Sequence, residues 1–495
     1  MTERSKDSYI GVLGRRDRLP FLTALLTGLL AHGFFLTNKI PVDDDLPFFF
    51  GKGATTISGR WGLELLRLVL PDYSMPWLYG LLSLLVLSVC ACMIVVLFDI
   101  RNPFLKALLA AVFVSFPAET GTISYTFTSL PYAIALGLAI GAVCAYRGGG
   151  WQGFALAVAM LLLSCAIYQG YFAFAASFCV LLLLQGLLRG GKSTGEVIRE
   201  GLRMLAMLVL AAGLYGLSIL LVNRLLHLPV LAKDVVNTRQ SLLMRFALCY
   251  SAFLHTLTRG YFAYVRGSLS RLLHVLLALL VLWRGARLLR GRPLSHWLLA
   301  GLLLFLLPPA AYCLYMLADT GYIHSLALYS FVGVYVLAAL VLDGETPAWD
   351  RKLAALSLTV ILAGNVTFAN AFSLCCQMEF EQARSLAVGL VTRVQMTPGY
   401  DTSCPLALFG EATAGRSPLR ERFDLDGFAL PGNNITRTIQ LPELSRLYLG
   451  WELPLASEEE RQAIRDSGLL AEMPPYPADG SVVKVGDTVV VKLSD

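Results

Sequence analysis

Charge is what this sequence has least of. Asp, Glu, Lys and Arg make up 15% of its 495 residues, against roughly 25% in ordinary globular domains, and 56% of the chain is hydrophobic. A soluble globular fold is excluded by so thin a polar surface. No Cys/His spacing of the zinc-binding kind occurs and no nucleophile elbow, so structural zinc and serine-hydrolase chemistry have no residues to carry them. There is no internal repeat either, which removes the usual sequence mark of a transporter built from duplicated halves. The net charge of +6 is modest and gathers in a few loops, so no nucleic-acid partner is indicated.

What the chain has in quantity is long apolar runs. A helix that crosses a bilayer needs about 20 apolar residues. Runs near that length fall at 20–37, 76–98, 104–118, 130–146, 152–168, 170–188, 203–226, 272–290, 297–317, 325–342 and 353–372. They predict an all-α polytopic membrane protein of about eleven transmembrane helices. The first run has no small-residue cleavage site after it and is read as a retained helix rather than a signal peptide.

Orientation follows from the basic loops, because Lys and Arg stay on the cytoplasmic side. The N-terminal Arg4, Lys6, Arg15, Arg16 and Arg18, the linker from Arg189 to Arg203, and the cluster Arg284, Arg287, Arg290 and Arg292 fall on one face. The acidic loop 38–75, the segment Glu119 to Ser129, the connection 227–271 and everything after residue 372 then face outward. After 372 prolines, glycines and charges return. Residues 1–372 are expected to form the membrane domain and 373–495 a small extracytoplasmic α/β domain. That domain should open with a helix carrying Phe380, Ala383, Ala387, Leu390, Val391 and Val394 on one face. A strand from Pro405 to Phe409 should follow, and a hairpin around Gly486-Asp487 should end the chain. Of the ten cysteines, Cys375, Cys376 and Cys404 lie outside the apolar runs, and a disulfide from Cys404 to one of the pair is an open alternative.

The candidate site begins at Asp43, Asp44 and Asp45. Ionisable groups kept close to a bilayer are functional hypotheses by default. These carboxylates read either as a solvated turn after Pro41 or as groups that take a proton from an acceptor hydroxyl, or hold a divalent cation such as Mg2+ or Mn2+ against a phosphate. Residues 54–70, with Gly59-Arg60-Trp61, read as an interfacial helix bracing that loop. In the 227–271 connection Arg239, Arg245, Arg259 and Arg266 stand among aromatic residues. A guanidinium matches phosphate oxygens, so at least one of them, together with Arg60, is expected to grip a lipid phosphate; snorkelling is the alternative for any single one. Glu119, Tyr125, Tyr132, Tyr168, Gln169, Tyr171 and the pair Asp319 and His324 lie at outward helix ends, where they either bind sugar hydroxyls or form an ordinary aromatic belt. The stretch from Gly186 to Ser193 fits the P-loop expression, but a membrane helix rather than a strand precedes it, so nucleotide binding is rejected.

These pieces together resemble the GT-C superfamily of integral-membrane glycosyltransferases, and within it the bacterial glucosyltransferases that modify O-antigen and related surface polysaccharides. The residues that carry the resemblance are Val42 to Leu46, Gly59-Arg60-Trp61, Tyr168-Gln169, Asn370 leading into the helix from Phe380 to Val394, and Leu406 to Gly410. The resemblance implies an undecaprenyl-phosphate-linked glucose donor, a polysaccharide acceptor, transfer on the outer face of the bacterial inner membrane, and inversion at the anomeric carbon. It also implies that Asp44 or Asp45 is the base. Two other classes compete: a polyprenyl-lipid flippase, which would keep its charges deep in the span, and a non-catalytic envelope-assembly protein, which leaves the first-loop carboxylates without a role.

Overall fold

The structure, a computed structural model, describes residues 18–46, 49, 56, 58–71, 73–189, 191–228, 240–258, 267–317, 325–344, 346–411, 417–422 and 440–495. It is mostly helical, and its chain divides into two compact units. The first holds residues 1–39, 51–371 and 422–430; the second holds 40–50, 372–421 and 431–495.

In the first unit the helices are α1 (Leu19–Thr37), α2 (Gly62–Arg67), α3 (Pro76–Leu97), α4 (Pro103–Ser115), α5 (Pro117–Ser124), α6 (Ser129–Gly148), α7 (Gly150–Tyr168), α8 (Phe172–Leu188), α9 (Thr194–Leu225), α10 (Leu242–Thr258), α11 (Gly267–Leu289), α12 (Leu294–Ala311) and α13 (Gly333–Leu342). The 48-residue α14 (Ala348–Gln395) runs from the first unit into the second. Proline opens α1, α3, α4 and α5, where its missing N–H costs nothing. Asn102 caps α4 by accepting from the Phe104 and Leu105 amides, and Ser193 caps α9 in a reciprocal box with Glu196. Helix overlies each of the eleven apolar runs. Among the described residues eight helical stretches are long and apolar enough to span a bilayer, or up to nine if the bent pair α4 and α5 is one span; the stretch from Gly150 to Leu188 counts once although it contains both α7 and α8.

Two expectations change. The run 104–118 does not continue as one straight helix. Pro117 cannot donate to the helix ladder, and α4 and α5 meet at a 44° bend. The segment after it begins as a helix rather than a loop, and every residue of α5 is buried. Three of its hydroxyls are satisfied locally: Thr122 donates to Ala118 O at 3.1 Å, Ser124 to Gly121 O at 2.7 Å and Ser129 to Thr126 O at 3.3 Å. Irregular backbone at membrane depth is stable only when protein surrounds it. Stacked rings of Phe113, Phe116 and Tyr329 supply that cover, and the Tyr329 hydroxyl donates to Phe113 O at 2.9 Å. The interfacial helix expected over 54–70 shortens to α2, and residues 51–55 and 57 lie outside the described residues.

The second unit contains the later part of α14, with Phe380, Ala383, Ala387, Leu390, Val391 and Val394 all buried. Its three strands are β1 (Leu406–Phe409), β2 (Val482–Val485) and β3 (Thr488–Lys492), in the order β1-β3-β2. β3 runs parallel to β1 and antiparallel to β2, with Leu406 opposite Val489 and Val482 opposite Val491. A strand paired on both edges reads as an unbroken apolar run, which is the pattern of Thr488-Val489-Val490-Val491. Ala407, Phe409, Ala456, Ile464, Met473 and Val490 form its core. Cys375, Cys376 and Cys404 are each buried and none is in a disulfide.

One buried charge pair fixes this unit internally. Arg420 Nε and Nη2 reach the two carboxylate oxygens of Glu379 at 2.8 and 2.7 Å, both side chains being more than nine-tenths buried. Removing one member of such a pair strands a charge, at a cost of about 3–5 kcal/mol, whereas an apolar pair of similar volume is tolerated. Glu379→Ala should therefore lower the thermal unfolding temperature of the full chain markedly, and the double change Glu379→Met with Arg420→Met should recover most of the loss.

Candidate functional site

The site in the first unit grows from a four-residue turn, Gly59-Arg60-Trp61-Gly62. Gly59 has φ +80°, and a Cβ there would lie 2.9 Å from the Tyr215 hydroxyl, which itself donates to Gly59 O at 3.2 Å. Trp61 Nε1 donates to Ser218 Oγ at 3.0 Å. Gly62 rests directly on the α7 backbone, where an added Cβ would lie 2.8 Å from the carbonyl carbon of Ala166. Helices α7 and α9 thus fix the turn on both sides of Arg60.

What the turn presents is a guanidinium in an aromatic cage. Arg60 Nη1 donates to the Tyr132 hydroxyl at 2.8 Å, and Nε reaches Gln169 Oε1 at 3.4 Å. The guanidinium carbon lies 5.3 Å from the ring centre of Tyr168 and 6.0 Å from that of Tyr132. Those two rings stack at 4.3 Å, and Tyr171 meets Tyr168 edge-on at 5.1 Å. A guanidinium over a desolvated ring gains up to about 2 kcal/mol, and a hydrogen bond from a charged group about 1.5–3 kcal/mol. Arg60, Tyr132, Tyr168 and Gln169, read separately in the sequence from three connections, are one cluster.

Glu119 lies deeper, 1% exposed on α5. Among the described residues neither of its carboxyl oxygens has a hydrogen-bond partner, nor does the Thr120 hydroxyl. Tyr171 and Tyr329 lie near it, so the tyrosines continue from the cage toward it. Tyr125 is buried against Phe127. Arg245 is engaged with backbone, donating to Gln240 O and Met316 O, each at 3.0 Å. Arg239, Arg259, Arg266, Asp319 and His324 lie outside the described residues.

The acidic triplet belongs to the second unit. It forms a 3-10 turn, Asp43–Asp45. Asp45 is fully buried and its Oδ2 accepts from the Val42 amide at 3.2 Å. Burial, and then the Asp45 charge, push the Tyr448 phenol above its usual range. Asp44 is exposed, and the side chain of Asp43 is outside the described residues. The neighbouring carboxylates therefore stand in different surroundings, Asp45 buried with one oxygen on its own turn and Asp44 exposed. Among the described residues no group of three or more His, Cys, Asp or Glu is placed to hold a metal ion.

Sequence reading missed Tyr215 and Ser218, which hold the turn from α9. Their three-residue spacing puts both on one helix face, and that was the available signal.

Membrane-length helices packed around a buried polar segment and an arginine cage define an integral-membrane protein. The family model of the glucosyl transferase GtrII matches residues 33–340, more than half of the sequence, and the chain belongs to that family. No curated protein and no solved structure matches it. The family is one of glucosyltransferases, whose substrates are a sugar donor and an acceptor.

Because Gly62 sets the placement of Arg60, Gly62→Ala should reduce sugar transfer by roughly 100-fold, the scale of an ångström-sized misplacement. Gly213→Ala, on α9 with nothing within 4 Å of the new Cβ, should leave it unchanged. Initial rates of glucosyl transfer compare the two.

Proposed function

We propose that this protein moves glucose from an undecaprenyl-phosphate-linked donor to a cell-surface polysaccharide such as O-antigen, with inversion at the anomeric carbon, on the outer face of the bacterial inner membrane. Family membership supports glucosyl transfer. The observation that carries the donor class is Arg60, a guanidinium oriented by Tyr132 and Gln169 and backed by the Tyr168 ring. A fork so oriented suits phosphate oxygens, and the adjoining tyrosine and amide groups suit sugar hydroxyls.

In this reading an acceptor hydroxyl oxygen attacks C1 of the glucose from the side opposite the phosphate. The C1–O bond to phosphate breaks, its electron pair leaves on the phosphate oxygen, and the hydroxyl proton passes to a carboxylate. Asp44 is the base, because it is exposed while Asp45 is closed in its turn. Arg60 stabilises the charge that grows on the leaving phosphate. Glu119 and Tyr125 line the path for sugar or acceptor, and Arg239, Arg259, Arg266 and His324 remain candidate ligands in the longer connections.

The test uses purified protein with undecaprenyl-phosphate glucose and polysaccharide acceptor, with and without EDTA. Asp44→Asn should cut turnover by roughly 100-fold or more, the usual loss on removing a general base, with the unfolding temperature kept. Asp45→Asn should instead lower the unfolding temperature. Loss of activity in EDTA that Mg2+ or Mn2+ restores assigns a divalent cation to the carboxylates, and activity retained in EDTA excludes one. Wild-type turnover by Asp44→Asn excludes the assigned base, and movement of intact lipid without bond cleavage favours a flippase.

A further inference from the structure

The ends of α6, α7 and α8 away from Arg60 enclose a feature that glucosyl transfer does not use. Tyr132 lies in the first turn of α6 and Tyr168 ends α7, whereas Arg147 ends α6, Gly150 starts α7 and Arg189 follows α8. Fifteen residues of α6 separate Tyr132 from Arg147, about 22 Å along the helix. At this far end lies a cavity of about 1110 Å³, whose walls also include the start of α9.

The charges around it do not cancel. Arg189 is bound to Asp343 at 3.0 Å and to Asp99. Glu196 is turned back on Ser193, accepting from its amide and its hydroxyl. Lys192 pairs with Glu200. Arg147, Arg199 and Arg203 remain, all exposed, with no ion pair among the described residues. Arg199 and Arg203 stand one turn apart on the same face of α9, where like charges repel; Glu196 is near enough to Arg199 to offset part of its charge, but its carboxylate is held by Ser193, and an anion between the two arginines relieves the rest.

The rest of the wall suits a lipid rather than a bare ion. Leu182 and Met204 give it buried apolar surface. Trp151, 77% exposed, follows the lining residue Gly150 directly in the first turn of α7, and an exposed tryptophan at the end of a membrane-length helix suits the headgroup level of a bilayer. The volume is in the range of organic ligands, many times that of a phosphate ion. Gly186, Arg189, Gly191 and Lys192 of the rejected P-loop pattern also line it. That pattern has its Ser193 occupied in capping α9, so its residues serve here as cationic wall and not as a nucleotide loop.

We infer that this cavity binds the phosphate of an anionic lipid headgroup through Arg147, Arg199 and Arg203, at the end of the bundle opposite the Arg60 cage. The site is independent of the donor assignment. It is tested on delipidated full-length protein in detergent by native mass spectrometry with phosphatidylglycerol, phosphatidylcholine and inorganic phosphate. Phosphatidylglycerol should be retained in preference to phosphatidylcholine, and the triple change Arg147→Gln, Arg199→Gln, Arg203→Gln should weaken its retention at least tenfold while glucosyl transfer stays at the wild-type rate. Displacement of the lipid by millimolar inorganic phosphate identifies the phosphate alone as sufficient; failure to displace it identifies the whole headgroup with its chains as the ligand. Should the triple variant not fold, Arg199→Gln alone should weaken retention about threefold, and wild-type retention should fall as salt rises. Equal retention of the two lipids, or wild-type retention by the variants, overturns the inference.

Discussion

A guanidinium among apolar helices is the constraint around which the first unit is arranged. Arg60 is always charged, and a charge taken toward hydrocarbon has to be matched by polar or aromatic partners. Tyr132 from the start of α6, with Tyr168 and Gln169 from the junction of α7 and α8, provide them. Glycine at positions 59 and 62 lets the turn approach α9 and α7 closely enough for those contacts. Local sequence, helix packing and the proposed chemistry therefore converge on one side chain.

The carboxylates divide by burial. Asp45 closes the first turn of its own 3-10 segment and lies in the second unit near Tyr448. Asp44, its neighbour, is exposed. Adjacent residues on a tight turn point in different directions, so a run of three aspartates yields distinct environments rather than three equivalent bases. The acidic segment belongs with the C-terminal unit rather than with the helices that flank it in sequence, so residues far along the chain shape the acidic turn.

Apolar periodicity made the helices legible, since every apolar run is helical in the structure. The strand from Leu406 to Phe409 and the hairpin turning at Gly486-Asp487 were legible too, because short apolar runs and turn chemistry are local properties. The fate of Glu119 to Ser129 was not. Its hydroxyls look like a loop in sequence, yet Thr122, Ser124 and Ser129 return hydrogen bonds to their own backbone and the segment is buried. Tyrosines 132, 168 and 171 could each be named as helix-end residues, but only packing shows which of them meets Arg60. The short extent of α2 was hidden because the left-handed backbone at Gly59 is a tertiary choice held by Tyr215.

The central claim is that Arg60 holds the donor phosphate while Asp44 acts only on the acceptor. Equilibrium binding of undecaprenyl-phosphate glucose to purified Arg60→Gln and Asp44→Asn proteins tests it most directly. The account predicts at least a tenfold loss of affinity for Arg60→Gln, consistent with losing a charged hydrogen bond of about 1.5–3 kcal/mol, and unchanged affinity for Asp44→Asn. Wild-type binding by Arg60→Gln would contradict it.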